Sequence, residues 1–141
     1  MMLRFITLLA CASVAATAAS ASLARVPVFG GCTSKVRLRP RAILFACADG
    51  NFFATGLRWT RWDGREATAV GVGRQNDCTP NCAAGHFHSY SLAVRLSAPL
   101  VCAGTDEFSR VAWRFVKAAP RAVPRWGSES FSCRWRKVRP R

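Results

Sequence analysis

Two alternating runs, FATGLRWTRW and REATAVGVG, meet at Asp63-Gly64, and this junction constrains the chain more than any other stretch. A type I′ turn needs positive φ at both central residues, which Asp-Gly adopts readily, so the pair predicts a two-residue β-hairpin. Closing the turn there pairs Trp62 with Arg65, Arg61 with Glu66, Trp59 with Thr68 and Leu57 with Val70. Leu57, Trp59, Val70 and Val72 then share the core face, with the Arg61 and Glu66 charges at its exposed tip. Trp62 points the other way, over Ala67 and Ala69, and is expected to be exposed.

Short apolar runs separated by turn residues continue along the chain, with neither repeats nor helical heptads. That spacing predicts an all-β domain: a small disulfide-bonded sandwich or partly open barrel of about six to eight antiparallel strands. In SKVRLRPR, Lys35, Arg37, Arg39 and Arg41 recur at period two and so fall on one strand face. Pro40 confines that strand to an edge or an end. AILFAC is apolar on both faces and predicts a central strand. In HFHSYSLAVRLSAPLVC, His86, His88, Tyr90, Leu92, Val94 and Leu96 share the inward phase, with the histidines at its entrance. RVAWRFVK predicts a strand with Val111, Trp113 and Phe115 inward, followed by a Pro-rich loop, AAPRAVPRWGSES. FSCRWR predicts the last strand, with Phe131, Cys133 and Trp135 in phase.

The first residues read as an export leader. Arg4 supplies a positive start, residues 5–19 are apolar, and Ala19-Ser20-Ala21 offers a small-x-small cleavage site. Residues 1–21 are therefore assigned to a signal peptide and 22–141 to a single β domain with a basic C-terminal tail. No stretch reaches the roughly 20 apolar residues that a transmembrane helix needs. An alternative reading takes LLAC as a lipobox and makes Cys11 a lipid anchor. Either way six cysteines remain, Cys32, Cys47, Cys78, Cys82, Cys102 and Cys133, and an even count in a small exported chain points to three disulfides. Cys78–Cys82 follows from the turn residues Thr79-Pro80-Asn81 between them. Cys32–Cys47 and Cys102–Cys133 are expected as neighbours in sequence. The charge is +14, from 21 Lys and Arg against 7 Asp and Glu, and suits attraction to an anionic polymer.

Three stretches, CADGN, LRWTRW and AVGVGRQNDCTPNCAAGHFHSY, followed by an alternating strand, resemble a family of small secreted actinobacterial proteins of unknown function. Its marks here are the W-x-x-W of Trp59 and Trp62 and the N-D-C-x-P-x-C-A-x-G run from Asn76 to Gly85. The resemblance implies a compact secreted domain and carries over no catalytic residue.

Several chemistries meet in the run NDCTPNCAAGHFHSY. His86 and His88 could form half of a zinc site with Asp77 or Asp49, because imidazoles two apart on a strand converge. Oxidised Cys78 and Cys82 would not be thiolate ligands, however, and their C-x₃-C spacing is not a redox C-x-x-C. No G-x-S-x-G nucleophile elbow is present, and Asp49 and Asp77 sit in turn contexts. Neither a metal nor a cofactor is expected.

The reading is therefore a secreted, non-enzymatic binding or structural protein of the cell envelope, holding anionic polymer through an Arg-rich surface. Its binding residues would be Lys35, Arg37, Arg39, Arg41 and Trp62, with a rim of Asp49, Asn51, Asp77, His86 and His88. No nucleic-acid partner is expected of an exported chain. The alternative is a secreted hydrolase, metal-dependent or carboxylate-based, using the His86/His88 rim.

Overall fold

Six antiparallel strands follow one another in chain order across a single sheet: β1 (Ile43–Leu44), β2 (Phe52–Trp62), β3 (Ala67–Asn76), β4 (Phe87–Cys102), β5 (Thr105–Phe115) and β6 (Trp126–Ser130). The sheet curls into a half-barrel, the open form of the predicted all-β class. The computed structural model describes residues 26–33, 35–121 and 123–133. The leader, Cys11, Trp135 and the basic tail 134–141 lie outside the described residues. Among those described, no helix is long and apolar enough to cross a membrane.

Strands β4 and β5 follow their sequence pattern. Leu92, Val94 and Leu96 are buried on the inner face, as are Val111 and Phe115, with Trp113 half-buried beside them. Strict alternation of large apolar and polar residues leaves only one face for the core.

The hairpin between β2 and β3 departs from expectation. Its loop has four residues, 63–66, and the first pair is Trp62 with Ala67, not Trp62 with Arg65. The cause is local. The Oδ1 of Asp63 accepts the amides of Arg65 (2.8 Å) and Glu66 (3.0 Å), an Asx-type turn that widens the loop. Two bulges, between Thr55 and Arg58 and between Trp59 and Arg61, then shift the register along β2. Gly56 sits at the first of them with φ of +60°, a conformation that glycine adopts without a steric cost.

The bulges bring Phe52, Ala54, Leu57, Trp59 and Trp62 onto the inner face, although their spacings of two and three residues would separate them on a regular strand. The inner face of β3 is correspondingly small. Ala67 and Ala69 are buried, and a Cβ at Gly71 would lie 2.9 Å from Leu57 Cδ2 and 2.8 Å from the Thr55 carbonyl oxygen. Val70 and Val72, expected in the core, each remain 40% exposed on the outer face. Trp62, expected to be exposed, is half-buried instead. Its Nε1 donates to the Pro27 carbonyl (2.9 Å), and its ring meets Trp59 and Phe108 edge-on. The large rings of β2 thus stand over the small residues of β3.

Three further expectations are corrected. Residues 35–41, the described part of SKVRLRPR, form no strand. Arg37 makes only an isolated bridge to Phe29, and Arg39 has φ of +50°, so Lys35, Arg37, Arg39 and Arg41 are exposed without sharing a strand face. AILFAC contributes only the two-residue edge strand β1, because its ladder partner Ala54–Phe53 leads directly into the bulged part of β2. Among the described residues the last strand is β6, inside the segment read as a Pro-rich loop; Phe131–Cys133 lie outside any strand, and the rest of FSCRWR lies outside the described residues. Gly127 allows that pairing, since a Cβ there would collide with the Trp113 indole.

The inner face is closed by the segments flanking the sheet. The Val28 amide and carbonyl bond to Asp106 and Phe108, which places Phe29 edge-on to Phe131. Phe45 packs on Phe52 and Trp113. Disulfides Cys32–Cys47 and Cys102–Cys133 tie both flanks to the sheet, and Cys78–Cys82 closes the loop between β3 and β4.

Candidate functional site: the loop rim and the outer sheet face

The loop between β3 and β4 is organised by two side chains. Asn76 is 6% exposed and uses both ends of its amide. Its Nδ2 donates to Asn51 Oδ1 (2.9 Å) and to the Cys82 carbonyl (2.8 Å), and its Oδ1 accepts the Cys78 amide (3.0 Å). The loop folds so closely over it that a Cβ at Gly85 would strike Asn76 Oδ1. Asp77 braces the outside. Its Oδ1 accepts the amides of His86 (3.0 Å) and Thr79 (3.1 Å), and its Oδ2 lies 2.8 Å from His88 Nε2.

The predicted rim thus assembles in part. Asp77 and His88 line an open groove of about 340 Å³ with Tyr90 and Arg121, and Asn51 joins it through Asn76. Asp49 is one step removed, its Oδ1 accepting the Asn51 amide. His86 contributes backbone groups to Asp77, while its side chain is exposed. Lys35, Arg37, Arg39, Arg41 and Trp62 line no part of this groove.

The chemistry available there is narrow. Asp77 is held well below the usual carboxylate range, first by the His86 amide, then by the His88 ring and the Thr79 amide. Such a carboxylate stays ionised and is a poor proton donor near neutral pH. Ser89, next to His88 in sequence, faces the other side and accepts a hydrogen bond from Arg74 (2.8 Å). Among the described residues, no three His, Cys, Asp or Glu side chains are grouped as a metal set would be. The arrangement is that of a corner brace.

An acid-dependence follows from the same hydrogen bonds. Asp63 is also pushed down, to about 2, by the amides of Glu66 and Arg65 and by the Arg61 guanidinium. Both acids ionise more readily in the folded chain than in the unfolded one. Their stabilisation is therefore complete above the ordinary carboxylate value of about 4 and is lost as the pH falls below it. The thermal midpoint is expected to drop as the pH falls from about 4 toward 2. An Asp63→Asn/Asp77→Asn double variant should show a shallower drop. An identical acid limb in the variant would place the sensitivity elsewhere.

The outer face of the sheet was not foreseen as a site. Following the register, Arg58 stands beside Val70, Val70 beside Ala93, Ala93 beside Arg114, and Arg114 beside Trp126. The adjacent row on that face runs Arg61, Thr68, Arg95, Ala112 and Ser128. From Val70 and Thr68 onward, these rows together with Arg110 line an open groove of about 560 Å³. Trp126 is 70% exposed at its edge. Glu66 takes hydrogen bonds from Arg61 and Arg95, the former at 2.6 Å. Among the described residues, Arg58, Arg110 and Arg114 enter no ion pair. A partial signal for this face was in RVAWR, where Arg110, Ala112 and Arg114 alternate with the inward residues. Arg58 and Trp126 join them only through strand register. No family model, curated protein or solved structure matches the chain.

Proposed function

We propose that this chain is an exported, non-enzymatic binding module of the cell envelope that holds anionic polymer on the outer face of its sheet. The observation that carries the reading is the groove lined by Arg95, Arg110 and Arg114, with Arg58 in the same row of the outer face; among the described residues Arg95 pairs with Glu66 and the other three enter no ion pair. Guanidinium forks match carboxylate and phosphate oxygens, and a rigid sheet presents them without prior ordering. The net charge of +14 would steer an anionic partner toward this surface. Three disulfides are compatible with an oxidising compartment, where envelope polymer is the available polyanion. The exposed Lys35, Arg37, Arg39 and Arg41 add positive charge in a less ordered arrangement.

The test is retention on isolated bacterial envelope over a salt gradient. An exposed ion pair contributes about 0.2–1 kcal/mol, so a triple variant of Arg58→Gln, Arg110→Gln and Arg114→Gln is expected to bind roughly 3- to 100-fold more weakly and elute at lower salt. Retention that ignores both salt and the triple substitution would sink the reading.

A further inference from the structure

On the reading that this is an exported chain with a cationic outer face, we infer that the part of that face beyond the groove docks on an anionic lipid bilayer and so holds the groove at a membrane surface. Two further rows lie there. One runs Phe53, Arg74 and Ser89, and the other runs Thr55, Val72 and Ser91. Val116 extends the second, its amide donating to the Ser91 carbonyl (2.9 Å). Phe87 shares the outward phase of Ser89, and its ring lies 5.4 Å from that of Phe53. Val72, Val116 and Phe87 are 40%, 46% and 39% exposed, and Val70 carries the apolar surface to the groove edge at 40%. Water therefore meets an apolar strip beside the arginines.

The charge around the strip has one sign. Neither row contains an acid. Arg74 donates to Ser89 Oγ (2.8 Å), and among the described residues neither Arg74 nor Lys117, which follows Val116, enters an ion pair. Arg58 and Arg114 stand in the next row. The acids flanking these strand ends are turned to their own loops: Asp49 accepts the Asn51 amide, and Asp77 those of Thr79 and His86.

Possible occupants differ in what they offer such a surface. A free polyanion satisfies the cations but stays hydrated, so it leaves Val72, Val116 and Phe87 in water. A second copy would bring two chains of charge +14 together, cation against cation. A protein partner is anchored by side chains seated in pockets, and Phe53, Phe87, Val72 and Val116 line neither groove described above. An anionic bilayer meets every feature at once. Its phosphates accept from Arg74 and Lys117, its acyl boundary covers the valines and Phe87, and its lipids move laterally to match a fixed cation spacing.

Co-sedimentation of the oxidised chain with vesicles at about 0.15 M salt tests this, using equimolar phosphatidylglycerol and phosphatidylcholine, and phosphatidylcholine alone. Lipid-stripped bacterial envelope is the parallel matrix for the groove. The mixed vesicles are expected to bind, and phosphatidylcholine alone to bind at least roughly tenfold more weakly. Val72→Thr/Val116→Thr exchanges methyls for hydroxyls at nearly constant shape. It should weaken vesicle binding roughly tenfold and leave retention on lipid-stripped envelope within about twofold. Circular dichroism checks that these exposed substitutions leave the fold intact.

Vesicle binding that ignores the valine pair would overturn apolar docking and leave the cationic-face reading standing. Equal binding to phosphatidylcholine would overturn the requirement for acidic headgroups. No vesicle binding, with retention on lipid-stripped envelope intact, would overturn the bilayer alone, and loss of both would overturn the two readings together. A valine pair that instead weakens retention on lipid-stripped envelope, or abolishes self-association in sedimentation velocity, would reassign the strip to a wall partner or to a second copy.

Discussion

Phe115→Ala is expected to lower the free energy of unfolding by about 3–5 kcal/mol, the range seen when a fully buried phenylalanine is truncated. Phe115 is 1% exposed at the end of β5, where it pairs with Leu92 of β4. Its ring meets Tyr90 edge-on at 5.5 Å and Phe52 at 5.9 Å, so it links the rim strand to the bulged strand. Truncation removes these contacts and leaves a void between elements that their own backbone ladders hold in place. Those ladders restrict collapse, which puts the cost toward the upper part of the range. Urea unfolding with an unchanged slope and a lower midpoint is the expected record. A loss below about 1 kcal/mol would mean that the inner face repacks freely, against the close packing drawn above.

Removing the Cys102–Cys133 disulfide by a paired change to serine is expected to cost about 3–4 kcal/mol, the most of the three bridges. A disulfide acts mainly by restricting the unfolded chain, and its effect grows with the loop it closes. The sequence separations are 31 residues for Cys102–Cys133, 15 for Cys32–Cys47 and 4 for Cys78–Cys82. Loop closure therefore predicts about 3 kcal/mol for the second and about 2 kcal/mol for the third. The largest bridge also anchors Phe131 against Phe29, and its loss frees one wall of the inner face. Thermal midpoints of the three paired-serine variants should fall in that order. If the Cys78–Cys82 variant proved the least stable, the local brace by Asn76 and Asp77 would have to matter more than loop entropy.

The parts of the fold legible in advance were those with local cause. In β4, Leu92, Val94 and Leu96 alternate with Ala93, Arg95 and Ser97, and a period of two needs no knowledge of neighbours. The same holds for Val111, Trp113 and Phe115 in β5. The hairpin at Asp63 was legible as a hairpin but not in its register. An Asp side chain can cap two amides and lengthen a turn that Asp-Gly would otherwise close in two residues. Leu57 and Trp59 were placed on the core face, but without that register the phase of Trp62 was lost, and with it the choice between valines and alanines for the core.

The candidate site divides in the same way. Asp77, His88 and Asn51 lie close in a short loop or across its mouth, so turn chemistry brought them to notice. Their tasks depend on hydrogen bonds that a sequence does not display. Asp77 places one oxygen on the loop amides of Thr79 and His86 and the other on the His88 ring at the start of β4, which braces the corner.

The amino-acid sequence by itself determined the all-β class, the phase of β4 and β5 and a basic chain with six cysteines beyond its first residues. Alternation, turn propensity and composition are properties of residues and their immediate neighbours. Tertiary structure alone decided which face of β3 is inside and which arginines stand together. Two bulges in β2 set the first, by carrying three-residue spacings onto one face. Register across five strands set the second, since Arg58 and Trp126 are 68 positions apart and share one row of the outer face only because each intervening pair is aligned. Pairing is a relation between distant segments, and it is settled by which side chains fill the curl of the sheet together.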